Sequence, residues 1–389
     1  MKIALVGPCS PADLASEFYP GQRDLADALS GYRGVPVSEL AKGLTKEGHQ
    51  VSIATLAYNS ITRSASFNGP NLELVVHPGR PRPRQCLKDN YRRERGLLAE
   101  SIRAFNPDIV HAHWTYEFAL GALDTGFPCA VTAHDSPYTV VRYFKDAYRT
   151  ARLFIAQQVA FKAQNLSAVS PYLQDRWRKQ MLYRREIEMI PNAVPADVSP
   201  PERMPAANPL IITVGDPSAL KNIPALINAF ATVRKSIPEA ELRVVGPALG
   251  PRDQMALDTT RLGLASGVTF VGPLTRAQLA SEYGRAWLLV HPSLEEAFGL
   301  TLVEAISAGV PALGGNSSGA VPFVLAHGAA GWLCDIRDPD AIAKSILDKI
   351  RSGPPPLPPG AQSYIRSNFA NDIVTTKYLD WYRKILETS

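Results

Sequence analysis

The amino-acid sequence predicts an α/β protein divided into two domains, each built on a parallel sheet. Short apolar runs bounded by glycine or polar residues, at 2–7, 210–215 and 287–290, are typical of buried parallel strands. The length of 389 residues is sufficient for two domains that each have a core. Between the two halves, the stretch 195–209 is rich in proline and alanine, which favours a linker.

The composition indicates a globular protein, since 46% of the residues are hydrophobic and 20% are charged. No apolar run reaches 18 residues, and the apolar start of the chain is too short for a signal peptide. The four cysteines have neither metal-ligand nor redox spacing, so we expect reduced thiols in a cytoplasmic protein. Residues 1–190 carry a net charge of +6 and the remainder −1, which places the basic excess in the first half.

In the first half, a helix is predicted at 37–44, where apolar residues recur three and four apart. No Gly-x-Gly-x-x-Gly follows the first strand, which argues against a nicotinamide dinucleotide fold. Strands are predicted wherever a short apolar run ends at a glycine or a polar residue: 2–7, 51–55, 71–77, 106–113, 129–135, 166–170, 210–215, 241–246, 268–272 and 287–290.

The most informative stretch is 287–311, where a predicted strand is followed by a loop and a helix from Thr301 to Gly309. Glu296 lies in the loop and Glu304 in the first helical turn. The unpaired amides of that turn point back toward the loop, at the carboxyl end of a strand. The stretch is therefore predicted to hold an anion.

Each residue of this stretch also has a simpler interpretation, which remains open at this point. Thr301 and Glu304 fit a capping box, which requires no ligand. Glu296 taken alone fits a solvated loop carboxylate, and Gly299 fits a turn glycine. Only the whole string of residues favours a binding site.

A basic stretch lies between the third strand and the next helix. The solvated face of a loop and helix is one interpretation, and a patch for anionic lipid headgroups or an acidic acceptor is the other. Nucleic acid is not expected as a partner, because aromatic residues are nearly absent there. The basic residues are Arg80, Arg82, Arg84, Lys88, Arg92, Arg93 and Arg95.

Several histidines follow predicted strands and raise the question of a metal site. His111, His113, His134 and Asp135 lie on alternating or separate strand ends, which fits no compact ligand set. Each is expected to be a buried histidine or acid with a hydrogen-bond partner, and no metal is predicted.

The residues of 292–311 together resemble the donor-site signature of the retaining glycosyltransferases of family four, the group 1 type. The signature residues are Pro292, Ser293, Glu296, Phe298, Gly299, Leu300, Glu304, Ala305, Gly309 and Pro311. The resemblance implies the GT-B fold, with two Rossmann-like, doubly wound parallel-sheet domains facing a central cleft. It also implies four segments: an acceptor domain at 1–192, a linker at 193–209, a donor domain at 210–367, and a terminal helix at 368–389 that crosses back onto the first domain.

The resemblance implies retaining, metal-independent transfer of a hexose-type sugar from a nucleotide diphosphate sugar to a hydroxyl acceptor on a glycan, a lipid-linked glycan or a small molecule. No cofactor is implied beyond that donor substrate. His134, Glu296 and Lys221 would be catalytic. The donor would be bound by Glu304, Phe298, Gly299, Leu300, Thr301, Gly215, Asp216, Gly246, Leu274, Gly31 and Gly34.

Three positions depart from the family pattern and keep an alternative open. Asp216 stands where an arginine is usual, Phe323 stands where a glutamate is usual, and Tyr32 replaces the second of two adjacent glycines. They motivate a catalytically silent protein of the same fold that binds or regulates an active transferase. A different enzyme of this fold, such as an epimerase or a phosphorylase, is a further alternative.

Overall fold

A computed structural model describes residues 1–29, 34–58, 61–195 and 202–388 of the chain. The chain divides into two compact units. The first contains residues 1–193 together with 371–389, and the second contains residues 194–370. In the described residues, no helix combines the length and the apolar character needed to cross a bilayer.

The first unit contains an eight-stranded sheet in the order β3-β4-β2-β1-β5-β6-β7-β8, in which only the β3–β4 pairing is antiparallel. The strands that follow β1 in sequence as far as β4 lie on one side of it, and β5 to β8 lie on the other side. The strand order therefore reverses between β1 and β5. The strands are β1 (Lys2–Val6), β2 (Gln50–Tyr58), β3 (Ala65–Gly69), β4 (Leu72–Gly79), β5 (Ile109–His113), β6 (Cys129–Ala133), β7 (Asn165–Ala168) and β8 (Ile187–Met189).

Nine helices accompany this sheet in the described part of the unit. The last of them comes from the end of the chain and contacts residues near its start: the side chain of Asn371 donates a hydrogen bond to Glu39 O at 2.6 Å. At Gly43 a side chain would collide with Thr375, so the close approach of the two helices requires glycine. The helices are α1 (Arg23–Ala28), α2 (Val35–Lys46), α3 (Pro83–Lys88), α4 (Arg92–Phe105), α5 (Glu117–Leu123), α6 (Pro137–Phe144), α7 (Ala147–Lys162), α8 (Pro171–Gln180) and, from the end of the chain, α16 (Asn371–Thr388).

The second unit contains a six-stranded parallel sheet in the order β11-β10-β9-β12-β13-β14. Its order reverses between β9 and β12, so the loops after these two strands open at the edge where α/β sheets bind ligands. The strands are β9 (Leu210–Val214), β10 (Glu241–Val245), β11 (Val268–Gly272), β12 (Leu288–His291), β13 (Ala312–Gly315) and β14 (Trp332–Cys334). The helices are α9 (Ile223–Ser236), α10 (Gln254–Arg261), α11 (Arg276–Arg285), α12 (Leu300–Ser307), α13 (Val321–Val324), α14 (Pro339–Ile350) and α15 (Ala361–Phe369).

The central strands β5, β6, β12 and β13 are short, fully buried runs, as expected for strands of a parallel sheet that is covered on both faces. The core of the second unit includes Ile211, Phe230, Leu242 and Val290, all of which are fully buried. The fold class predicted from the sequence is confirmed: both units are parallel-sheet α/β structures.

Candidate functional site

The site is organised by the loop that connects β12 to α12 in the second unit. Glu296 Oε1 accepts from the ammonium of Lys221 at 2.5 Å and lies 3.0 Å from His291 Nε2. The other ring nitrogen of His291, Nδ1, lies 3.1 Å from Thr301 Oγ1. The carboxylate, the cation and the first turn of α12 are thus joined by one hydrogen-bonded chain.

The charge state of this chain follows from its neighbours. Burial alone would raise the pKa of the Glu296 carboxyl, but the Lys221 ammonium and the hydrogen bond from His291 outweigh burial and hold the pKa well below its usual range. Burial would likewise lower the pKa of Lys221, and Glu296 overcomes this and raises it. At neutral pH, Glu296 is therefore an anion and Lys221 a cation.

Lys221 reaches Glu296 because of the connection between β9 and α9. The strand ends at Val214, a 3-10 turn at Ala219–Lys221 follows, and Asn222 adopts a left-handed conformation with φ of 51°. Gly215 and Gly246, on adjacent strand ends, pack closely: a Cβ on Gly246 would lie 1.8 Å from the Gly215 carbonyl oxygen. Glycine is required at position 246, which brings the loop after β10 against the loop after β9.

Asp216 occupies the position where the family usually has an arginine. Its Oδ1 accepts from the Ser218 amide at 2.8 Å, so the carboxylate is engaged by its own loop. Its negative charge is close enough to help raise the pKa of Lys221. Asp216 thus supports the protonated state of Lys221.

Glu304 is almost fully buried in α12 and accepts from the Tyr283 hydroxyl at 3.4 Å. Burial and the nearby Glu304 carboxyl raise the pKa of Tyr283 well above its usual range, so its hydroxyl stays a proton donor. The sequence placed Glu304 in the first turn of the helix. In the structure it is the fifth residue of α12, just beyond that turn.

The start of α12 differs from the predicted one. The helix begins at Leu300 after the N-cap Gly299, whose φ is 97° and which has no capping side chain. The capping-box interpretation of Thr301 and Glu304 is therefore wrong, and Thr301 bonds to His291 instead. Because no side chain caps the helix, the Leu300 and Thr301 amides of its first turn stay available to a ligand.

Phe298 and Leu274 lie apart from this hydrogen-bonded chain. The ring of Phe298 is buried and packs edge-on against Phe369, with centroids 5.3 Å apart, so only its backbone can face a ligand. Leu274 is half-buried, two residues beyond the end of β11. Phe323 also packs edge-on against Phe369, with centroids 5.9 Å apart.

His134 directly follows β6 in the first unit. Its Nε2 lies 2.9 Å from Nδ1 of the buried His113, and burial lowers the pKa of His134 to about 4. His111 is bonded to Tyr382 at 2.5 Å and to Thr132 at 2.7 Å. The expected hydrogen-bonded histidines are thus found, with His111 and His113 buried and His134 half-buried. All three rings are neutral at pH 7 because desolvation lowers each pKa.

Asp135, the next residue, accepts both of its 3.1 Å hydrogen bonds from the Tyr116 hydroxyl. Burial raises its pKa to about 6, an effect that Arg152 and Tyr116 partly offset.

The two glycines predicted to contact the donor in the first unit have different outcomes. Gly31 lies outside the described residues. Gly34 is the N-cap of α2, and a Cβ there would lie 1.8 Å from the Pro8 carbonyl oxygen. Gly34 therefore permits a close approach between the start of α2 and the loop that follows β1.

The basic stretch after β4 is divided between two roles. Arg80 binds Asp89 and Glu94, both at 2.7 Å, and Arg95 binds Asp124. Arg80 and Arg95 are therefore structural. The other five basic residues are exposed, and none of them has an ion-pair partner among the described residues: Arg82, Arg84, Lys88, Arg92 and Arg93.

Two family models match the chain: Glycosyltransferase Family 4 over residues 34–198 and Glycosyl transferases group 1 over residues 198–358. Together they extend from α2 to beyond α14. The chain belongs to glycosyltransferase family 4. The second match contains Lys221, Glu296 and Glu304, so the hydrogen-bonded chain of the site lies within it.

The curated relatives of this family 4 chain include a protein named as a glycosyltransferase and one named as a synthase. The D-inositol 3-phosphate glycosyltransferase of Streptomyces scabiei is 35% identical over 137 residues, or 33% of this chain and 30% of that protein. The match therefore spans less than a third of that relative's length. The N-acetyl-alpha-D-glucosaminyl L-malate synthase of Bacillus anthracis is 23% identical over 341 residues, or 82% of this chain and 85% of that protein.

Solved structures of other proteins share the GT-B fold of this family 4 chain. The sucrose-phosphate synthase of Thermosynechococcus elongatus superposes with a TM-score of 0.78 at 20% identity, and both chains are covered completely. HepE of Anabaena, in complex with UDP and glucose, has a TM-score of 0.69 at 18% identity, with 97% of this chain and 98% of that chain covered.

Two members of the site were not predicted from the sequence. His291 links Glu296 to Thr301, and Tyr283 binds Glu304. A signal for His291 was present, because a polar residue that ends a buried apolar strand five positions before an acid lies at the ligand edge of the sheet. Tyr283 comes from α11, and nothing in its local sequence distinguishes it from an ordinary core tyrosine.

Proposed function

We propose that this chain transfers a hexose-type sugar from a nucleotide diphosphate sugar to a hydroxyl acceptor, with retention of anomeric configuration and without a metal. The observation that carries the proposal is the contact of Lys221 and His291 with one oxygen of Glu296, next to the uncapped start of α12. Cation, acid and helix amides are the groups that a diphosphate and a sugar require.

The diphosphate is assigned to Lys221 and to the amides of Leu300 and Thr301. Negative charge grows on the diphosphate as its bond to the sugar breaks, and fixed donors in a buried site stabilise that charge. An ammonium has three protons to donate, so Lys221 can bind a phosphate oxygen while it keeps its bond to Glu296. Cationic side chains and amides thus take the role that a metal ion has in other sugar transferases.

The sugar and the ribose are assigned to the two glutamates. Lys221 and His291 both contact Oε1 of Glu296, which leaves Oε2 to accept from sugar hydroxyls. Glu304 is proposed to accept from the ribose hydroxyls. His134 is proposed to hydrogen-bond a sugar hydroxyl, since its neutral ring can both donate and accept.

The reaction that fits these roles is attack from the side of the leaving group. The acceptor oxygen forms a bond to the anomeric carbon, the bond from that carbon to the diphosphate oxygen breaks, and the acceptor proton passes to the leaving phosphate. Glu296 is not assigned as a nucleophile, because its Oε1 is held by a cation and a histidine. The two-carboxylate chemistry of glycosidases does not apply, since the second acid is assigned to the ribose.

A thermal-shift screen against nucleotide diphosphate sugars tests the proposal. A ligand present at a hundred times its Kd stabilises the folded state by about 2.7 kcal/mol, so one base and sugar should raise the Tm by several degrees. The matching nucleoside monophosphate, which lacks the second phosphate, should give a much smaller shift. If no donor shifts the Tm and none is hydrolysed, the catalytically silent alternative is correct.

We also propose that the first unit rests on an anionic bilayer through the exposed cations between Arg80 and Arg95. Exposed Phe154 and Phe161 of α7 support this, because large apolar side chains beside cations suit a headgroup region. The bond from Asn90 to Gln158, 2.9 Å long, joins this surface of α7 to the basic stretch. Co-sedimentation with phosphatidylserine vesicles should occur and should weaken as salt rises, whereas neutral vesicles should not bind.

A further inference from the structure

The first unit contains a large open cavity that the donor site does not use. Its volume is about 1180 Å³, and it lies between α3 and the turn from α6 to α7. We call it the cationic cavity. Its charged and aromatic lining residues are Arg82, Arg84, Lys88, Asp146, Tyr148 and Arg149.

The charges of the cationic cavity do not cancel. Arg149 pairs with Asp146 at 2.5 Å and stacks over the Phe144 ring at 4.4 Å. Arg82, Arg84 and Lys88 have no carboxylate partner anywhere in residues 1–29, 34–58, 61–195 or 202–388. Three like charges around one concavity repel one another, and a bound anion relieves that repulsion.

Side-chain contacts hold the backbone that carries these cations. Arg80 is clamped between Asp89 and Glu94, and the buried Cys86 thiol points at the Arg80 and Arg82 carbonyl oxygens at 3.7 and 3.8 Å. Tyr148 is held by the Tyr91 hydroxyl at 3.0 Å. A cavity whose backbone is fixed in this way loses little entropy when it binds a ligand.

The position in the fold is also that of a ligand site. The segment that carries Arg82 and Arg84 follows the end of β4, and α6 begins at Pro137, three residues after His134 at the end of β6. Both segments leave the carboxyl edge of the first sheet, where α/β sheets bind their ligands. The cationic cavity and His134 therefore belong to the same edge of this unit.

We infer that the cationic cavity binds a phosphate group on the acceptor, so that the acceptor is a phosphate ester with a free hydroxyl. This inference rests on the proposed function and names the acceptor class that the proposal leaves open. The forked guanidinium groups of Arg82 and Arg84 match phosphate oxygens, and Lys88 adds a point charge. The phosphate ester is either a soluble sugar or polyol phosphate or the headgroup of a phospholipid, since both present the same chemistry.

The test measures binding first, without any donor. Isothermal titration uses myo-inositol 1-phosphate and glucose 6-phosphate as probes, with myo-inositol and glucose as uncharged matches, and vesicles of phosphatidylinositol against vesicles of phosphatidylserine of the same charge. The wild-type protein should bind phosphorylated probes at least tenfold more tightly than their matches. R84Q should weaken that binding severalfold, and the triple variant R82Q/R84Q/K88Q should abolish it.

R93Q is the matched control, because Arg93 is an exposed arginine of the same basic stretch that does not line the cationic cavity. It should bind the soluble phosphorylated probes as the wild type does, and all variants should keep the wild-type Tm within about 1 °C because only exposed side chains change. Equal loss of soluble-probe binding in R93Q and R84Q, or no loss in the triple variant, would overturn the inference. Binding of soluble probes assigns a soluble acceptor, whereas binding of phosphatidylinositol vesicles alone assigns a lipid.

Transfer assays then separate this inference from the proposed function. With a donor found by the thermal-shift screen, the triple variant should raise the KM for a phosphorylated acceptor at least tenfold and leave the KM for the donor unchanged. Transfer to neutral acceptors that the triple variant does not affect would refute the inference and leave the proposed function intact. If no donor reacts at all, the proposed function fails, and the donor-free titration still decides whether the cationic cavity binds phosphate.

Discussion

Replacing Glu296 with glutamine is expected to reduce sugar transfer by about 10²–10³-fold, the effect of losing one group that stabilises a transition state. The amide keeps the size of the side chain but presents one oxygen acceptor instead of two, and it no longer carries the charge that pairs with Lys221 at 2.5 Å. Steady-state kinetics with the identified donor measure the loss in kcat.

The same variant should keep its affinity for the nucleoside diphosphate product. Lys221 loses its carboxylate partner in the free protein and becomes fully available to the diphosphate, so the Kd of the nucleoside diphosphate should stay equal or fall. A fall in kcat with unchanged nucleotide affinity is the expected pattern for a residue that contacts only the sugar. Equal losses in both quantities would show that Glu296 holds the loop rather than the sugar.

Glu282→Gln is the control for this substitution. Glu282 pairs with Arg243 at 3.0 Å in the same unit, with side-chain exposure of 15% for the acid against 13% for Glu296. Both variants therefore remove one half-buried ion pair, at a cost of about 1–2 kcal/mol of unfolding free energy. Only the Glu296 variant should lose transfer; a similar fall of kcat in the Glu282 variant would assign the effect to stability.

Part of the site is local in sequence. One continuous stretch, in which an apolar strand, a glycine and a helical pattern succeed one another, predicts the Glu296 loop and the helix that follows it. It also predicts that the loop lies at the ligand edge of the sheet. Lys221 lies 75 residues earlier, yet the strand that precedes it is the sheet neighbour of β12, so its approach to Glu296 follows once the strand order is known. The resemblance to family 4 implied that Lys221 and Glu296 belong to one site, and the strand order of the structure explains why.

Other features depend on packing that no local pattern contains. The sequence Phe298-Gly299 is the same whether the ring faces a ligand or the core, and only contact with Phe369 directs it inward. Arg80 and Arg82 differ in role because α3 and α4 bring Asp89 and Glu94 to Arg80 alone. A capping box was one of two interpretations of Thr301 and Glu304, but the Thr301 hydroxyl bonds to His291, a residue of the preceding strand.

Replacing Lys221 with methionine should have the largest effect on both activity and pH-dependent stability. Methionine keeps most of the volume of the side chain and removes its charge, so the diphosphate loses its cation and kcat/KM should fall at least 10³-fold. Glu296 is left buried without its ammonium partner, which costs about 2 kcal/mol of unfolding free energy for a pair that is partly exposed. Thermal unfolding between pH 5 and pH 8 and donor kinetics measure the two effects.

The sign of the pH dependence distinguishes a lost ion pair from a general loss of packing. In the wild type, Lys221 and His291 hold the pKa of Glu296 below its unfolded value, so the contribution to stability is complete above about pH 5 and is lost as pH falls. Without Lys221, burial raises the pKa of Glu296, so the variant loses stability as pH rises through the raised pKa. The difference in Tm between wild type and variant should therefore grow from pH 5 to pH 8.

Two further variants separate the causes of the effect. Lys344→Met removes an exposed lysine from α14 of the same unit and should change neither activity nor the pH dependence of Tm. The double variant K221M/E296Q should regain most of the stability that K221M loses at pH 8, because it no longer buries an unpaired carboxylate. A K221M penalty that is equal at all pH values, and that the second substitution does not relieve, would mean that Lys221 and Glu296 are not coupled and that the charge-paired donor site proposed here is wrong.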